Sequence, residues 1–141
     1  MSPEQWVYDP GSGGVTIKNT LKPGIEHRIR QYADANFAGR YTKLDIRFRS
    51  KFCYVDAYVE PAPLTPGWPP PDWPESREDY LERLRNTPIH LIRLRYFGDP
   101  EKWGFAFYSY ASEKYELSVF PTGDFMGTPE EAFQVAAGLH L

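Results

Sequence analysis

Two carboxylates, Asp45 and Asp56, and the cations on either side of the first, Lys43 and Arg47, have types and spacing that could do chemistry. They fall in KLDIRFRSKFCYVDAY, residues 43–58, which reads as a β-hairpin with Ser50-Lys51 as a two-residue turn. One face pairs Leu44 with Ala57, Ile46 with Val55 and Phe48 with Cys53. The other pairs Lys43 with Tyr58, Asp45 with Asp56, Arg47 with Tyr54 and Arg49 with Phe52. Carboxylates directly across a strand pair repel unless something compensates them. Such a pair could bind Mg²⁺ or Mn²⁺, with Glu60 as a third ligand, or could share a proton and act as acid and base. Lys43 and Arg47 can neutralise it without a metal, so a cross-strand salt-bridge ladder is the expected arrangement. Asp45 and Asp56 are the catalytic candidates; no metal and no cofactor is expected.

A second constellation joins Arg47, Arg49, Arg93 and Arg95 to Tyr54, Tyr58, Tyr108 and Tyr110. Forked guanidinium groups hold anions and rings offer stacking surfaces, a combination suited to a phosphorylated ligand or to single-stranded nucleic acid. The plainer arrangement lays the arginine stems on the rings and pairs their heads with Asp45, Asp56 or Glu116. A net charge of -3 disfavours nucleic acid, which needs a local surplus of Lys and Arg, and weighs less against a small anion. Cys53 with His27 or His90 could suggest a thiol nucleophile and its base. Cys53 falls on the predicted core side, where a thiol only fills space, and His90 alternates with Ile92 and Leu94 as a core residue would. His140 lies next to the end of the sequence and is expected in solvent. No GxSxG elbow is present, and three dispersed histidines make no zinc motif.

The elements that must position these residues follow from pattern and punctuation. The length of 141 residues suits one domain with a real core, and the single cysteine excludes an intrachain disulfide. Aromatic residues make up 16% of the chain, which argues for burial rather than disorder. Residues 1–14 read as a flexible arm ending in Gly11-Ser12-Gly13-Gly14, and residues 15–141 as the domain. The arm lacks a basic region followed by an apolar one, and no segment is long enough to span a membrane, so a cytoplasmic protein with no membrane partner is expected. A helix is predicted from Thr20 to Gly39, with Ile25, Ile29, Tyr32, Ala33 and Asn36 as its stripe and Glu26 paired to Arg30. Residues 61–76, PAPLTPGWPPPDWPES, are predicted as a covering loop with Trp68 and Trp73 buried against the domain, although a PxxP spacing could instead serve a partner.

Ser76 caps a second helix bearing Tyr80, Leu81 and Leu84 on its inner side and closed by Pro88. Three strands, 89–97, 103–110 and 115–120, form a meander. Thr128 with Glu131 opens a last helix through a capping box, with Pro129 at its first position and Gly138 as its stop. The order α-β-β-loop-α-β-β-β-α predicts the α+β class, with an antiparallel sheet of about five strands and helices on one face. The second sheet face then carries Arg93 and Arg95 with Leu91, Phe97, Tyr108, Tyr110, Leu117 and Val119, too apolar to stay bare.

At RFRSKFCYVDAY, RLRYFGDPEKWGFAFYSYASEKYE and GTPEEAF the chain resembles a group of short bacterial proteins of no assigned function. The resemblance spans most of the sequence after Val15. It implies a compact bacterial domain and brings no activity, cofactor or catalytic residue. The functional expectation is a small non-catalytic binding or interaction domain that forms a homodimer through the second sheet face, or holds a small anionic ligand there. The alternatives are a metal-dependent hydrolase acting on a phosphate-containing substrate and a single-stranded nucleic-acid-binding module.

Overall fold

The computed structural model describes residues 12–141, so most of the predicted arm lies outside the described residues. Among the described residues, three helices and six strands follow in the order α1 (Lys22–Phe37), β1 (Lys43–Arg49), β2 (Phe52–Tyr58), α2 (Arg77–Arg85), β3 (Ile89–Tyr96), β4 (Trp103–Ser109), β5 (Lys114–Ser118), β6 (Met126–Gly127) and α3 (Pro129–His140). All strand pairs are antiparallel, in the spatial order β1-β2-β3-β4-β5, and β6 pairs with the start of β4. This is the α+β architecture that the element pattern predicts, with one short strand added.

The hairpin has the predicted register throughout, from Lys43 opposite Tyr58 to Arg49 opposite Phe52. Ser50 takes the first turn position with φ 56°, on the positive side that hairpin turns require. Residues 15–17 cross the tip: the Ile17 amide donates to the Ser50 carbonyl at 3.0 Å, the Val15 amide to Tyr96 at 2.9 Å, and Ile17 is buried. Leu44, Ile46, Cys53, Val55, Ala57, Ile92, Leu94 and Phe105 form the inner sheet face, against Ile25, Ile29 and Ala33 of α1 and Phe133, Ala136 and Ala137 of α3.

The helices differ from expectation in detail. Without a side-chain cap, α1 begins at Lys22 rather than Thr20. Its stripe closes with Phe37, whose ring meets Phe133 edge-on at 5.6 Å, while Asn36 is exposed and bonds the Tyr32 carbonyl. Burial of one more ring decides between the two neighbours. The predicted Glu26–Arg30 pair is present at 2.9 Å. On α3 the capping box from Thr128 to Glu131 is complete, but the helix runs through Gly138 to His140. Glycine weakens a helix by about 1 kcal/mol without being obliged to end one.

Helix α2 is capped as predicted, the Ser76 hydroxyl accepting from the Asp79 amide at 3.0 Å, yet none of its residues is fully buried. Trp68 and Trp73 remain 37% and 38% exposed, against the burial expected of them. Their rings pack on each other at 5.2 Å and on Tyr80 at 6.2 and 6.4 Å. The indoles meet their need for contact locally, with α2, and not on the sheet. Arg77 fastens the loop by donating to the carbonyls of Leu64 and Trp68 at 3.1 and 2.7 Å.

One irregularity sets up the outer face. Val55 pairs with Ile92 but Asp56 pairs with His90, so Leu91 is an extra residue, a β-bulge, on β3. Leu91 and Ile92 are consequently both buried in the core, which corrects the placement of Leu91 on the second face. The same shift turns His90 out of the core alternation.

Candidate functional site

Directly paired residues of an antiparallel sheet share a face, so the registers give the outer face row by row. Arg47, Tyr54, Arg93, Ala106 and Leu117 make one row, and Arg49, Phe52, Arg95 and Gly104 the next. Asp45, Asp56 and His90 make a third row; Tyr108, paired with Tyr115, lies on the same face. An open hollow of about 530 Å³ is cut into this face, lined by Arg47, Phe48, Arg49, Tyr54, His90, Tyr108 and Tyr115.

Behind the lining, Arg47 and His90 both bond Asp56, which is only 1% exposed. Its Oδ2 accepts from Arg47 Nη1 at 2.7 Å, and the same nitrogen donates to Asp45 Oδ2 at 2.5 Å. One guanidinium therefore bridges the facing carboxylates, which is the compensation the sequence calls for. Hydrogen bonding to Asp56, then to Asp45, raises the Arg47 pKa above its ordinary value, against the opposing effect of burial. The bridge consumes the two hydrogens of Nη1 only. Nε and Nη2, with three further N–H groups, have no protein acceptor among the described residues.

Asp56 Oδ1 lies 3.0 Å from His90 Nδ1. A carboxylate held by a guanidinium accepts, so Nδ1 carries a proton and donates; this tautomer is assigned from the hydrogen-bond network. His90 Nε2 has no protein partner among the described residues. The imidazole rests on the Tyr108 ring at 4.9 Å, and the His90 amide donates to the Tyr110 hydroxyl at 2.9 Å. Tyr115 meets Tyr54 and Tyr108 edge-on at 5.7 and 5.1 Å. Burial, reinforced by the charge of Asp56, raises the pKa of the Tyr115 phenol, which remains a neutral wall.

The predicted ligand-binding residues divide. Arg47, Arg49, Tyr54 and Tyr108 line the hollow. Arg93 and Arg95 share its face, but their guanidinium groups sit over the Phe52 ring at 4.9 and 4.8 Å, and Arg95 also donates to the Gly13 carbonyl. Tyr58 lies under the Lys43 ammonium at 4.4 Å, and Tyr110 stands at the far end beside His140. Glu60, the third metal ligand considered, pairs instead with Arg85 at 3.0 Å. Among the described residues no group of three His, Cys, Asp or Glu side chains could hold a metal ion.

Three lining residues fall outside the predicted site: Phe48, expected on the core side, Tyr115 and His90. Tyr115 carries a signal, since it lies two before Leu117, already assigned to this face. His90 carries none, because the bulge that re-aims it involves no glycine. Cys53 is buried as predicted; burial pushes its thiol up to about 12, far from the hollow's chemistry.

Among the described residues the hollow is lined by no Ser, Thr or Cys; its polar side chains are the guanidinium groups of Arg47 and Arg49, the His90 imidazole and the phenols of Tyr54, Tyr108 and Tyr115. Among the described residues, Arg49 has no carboxylate partner, and Arg93 touches only rings. A chain of net charge -3 thus places Lys43, Arg47, Arg49, Arg93 and Arg95 against Asp45 and Asp56 on one sheet face. No protein-family model matches the chain, and searches of curated proteins and of solved structures found no similar protein.

Proposed function

We propose that the protein is a non-catalytic binding domain that takes a small anionic ligand, a phosphate or carboxylate, in the hollow of its outer sheet face. The observation that carries this reading is the half-used guanidinium of Arg47. The carboxylates below fix it by one nitrogen, and its other N–H groups and the unpaired Arg49 are left for an anion. Asp56 orients His90 from below, and the rings of Tyr54, Tyr108 and Tyr115 line the open site beside it. Preorganisation of this kind reduces the ordering cost that binding otherwise incurs.

Self-association through the same face is the second reading, favoured by Tyr110 and Leu117, exposed at 50% and 46%. A two-fold dimer would set each surplus of arginine against its own copy, and like charge opposes that contact. The anion reading has no such conflict.

The test is calorimetric titration of the protein with phenyl phosphate and, as the neutral control, phenol. Phenyl phosphate is expected to bind and phenol not. Arg49→Ala should weaken binding about tenfold, the loss of one charge-assisted contact of roughly 1.5 kcal/mol or more. Arg47→Lys should weaken it as well, because lysine cannot hold two carboxylates and present a planar donor edge together. Equal response to the charged and neutral ligands would overturn the reading. Sedimentation at rising protein concentration addresses self-association separately.

A further inference from the structure

A second cavity meets the first across two tyrosines. It is an apolar cleft of about 760 Å³ at the end of the sheet, between the proline-rich loop and α3, with Val59, Pro61, Leu64, Leu84 and Ile89 in its walls. Its polar side chains are Thr65, Thr87, Tyr110 and His140, and three of them already have partners: the Thr87 hydroxyl donates to the Arg83 carbonyl at 2.6 Å, the Tyr110 hydroxyl accepts from the His90 amide, and His140 Nε2 lies 2.8 Å from the Tyr108 carbonyl. The cleft therefore offers a ligand apolar surface and very little else.

Its position relative to the hollow is what gives it meaning. His90 and Tyr108 line the hollow, while Ile89 and Tyr110, one and two residues away along the chain, line the cleft. The Tyr108 and Tyr110 rings are 4.8 Å apart, and the Tyr110 ring is 5.5 Å from that of His140. The wall between the cavities is thus a pair of aromatic side chains. A molecule anchored at Arg47 and Arg49 can continue over this wall onto apolar surface.

We infer that the ligand is a single-chain amphiphile, with a phosphate or carboxylate head at Arg47 and Arg49 and an apolar tail in the cleft beneath the proline-rich loop. The inference rests on the anion-binding reading and adds the tail. Charge complementarity fixes the end that enters the hollow, since among the described residues the cleft has no Lys or Arg in its lining. Tail length is the natural variable, because each buried methylene contributes separately to transfer from water.

The experiment is a titration of the full chain with methyl, butyl, hexyl and octyl phosphate, each below its micellar concentration, with octanoate and octanol alongside. Affinity is expected to rise by up to roughly fourfold per methylene until the cleft is filled, the equivalent of about 0.8 kcal/mol for each buried group. Octyl phosphate against octanoate distinguishes the two head groups, and octanol should bind far more weakly than either. Leu64→Gln should flatten the dependence on chain length. A flat series with measurable methyl phosphate binding would overturn the tail while leaving the anion site standing. Equal binding of octanol and octyl phosphate would overturn the anion site itself. A steep series that Leu64→Gln leaves unchanged would place the tail outside this cleft and defeat the assignment.

Discussion

Asp45 and Asp56 accept from the same nitrogen of Arg47, but Asp45 keeps 40% of its side-chain exposure and Asp56 only 2%. Water can replace Arg47 at the first and cannot at the second. Asp45→Asn should therefore relieve the facing charge and change stability by no more than about 1 kcal/mol. Asp56→Asn has a different outcome. An amide offers Arg47 one neutral acceptor oxygen in place of a carboxylate, and its NH₂ then meets His90 Nδ1, which can accept from it only by giving up the Nδ1–H tautomer. A loss of roughly 2–3 kcal/mol is expected, the usual cost of an unmet buried hydrogen bond to a charged partner. Urea midpoints of the two variants at neutral pH decide the matter; equal effects would show that burial does not distinguish the carboxylates. The facing pair itself was legible in the sequence, because apolar matching of Leu44, Ile46, Val55 and Ala57 permits a single register. His90 was not. Strict alternation from Ile92 puts it inside, and only the extra residue Leu91 turns it toward Asp56.

Among the elements, the proline-rich loop and α2 stand apart from the rest. The helix has half-buried Tyr80, Leu81 and Leu84, and its aromatic contacts are to Trp68 and Trp73. Composition correctly says that two indoles need partners, and it cannot say which surface supplies them; the local partner won over the sheet. Replacing both tryptophans with alanine should therefore leave the global unfolding midpoint within about 2 kcal/mol of the parent, since roughly 3–5 kcal/mol applies to fully buried rings. The effect should appear instead in hydrogen exchange. Amides of α2 are expected to lose protection while those of β2 and β3 keep theirs, as local opening separates from global unfolding. Uniform loss of protection would mean that the loop belongs to the main cooperative unit. The opposite end of the chain shows where punctuation does suffice: Thr128, Pro129 and Glu131 begin α3 at the residue their chemistry dictates.

At the scale of the molecule, the ionisable groups among the described residues whose pKa values burial raises are all acids that are neutral when protonated. Cys53 is pushed up to about 12 from an ordinary 9.0, Tyr41 to about 12 from 10.0, and Tyr110 and Tyr115 rise by the same cause. An acid with a raised folded pKa binds more protons folded than unfolded above its ordinary value, so stability falls as pH rises. For Cys53 the stabilisation is complete below pH 9 and for Tyr41 below pH 10, and for both it is lost as pH rises to about 12. Each fully responding group contributes a slope of about 1.4 kcal/mol per pH unit. Between pH 9 and 10 the thiol acts before the phenols, whose ordinary value is 10.0. Urea titrations under reducing conditions should show the midpoint falling over that interval in the parent, and Cys53→Ala should remove most of the slope. The alanine variant starts from a lower baseline because it leaves a small gap between Phe48 and Leu94, so slopes and not absolute stabilities are compared. An unchanged slope in the variant would mean that the sheet opens enough around β2 for the thiolate to reach water without unfolding.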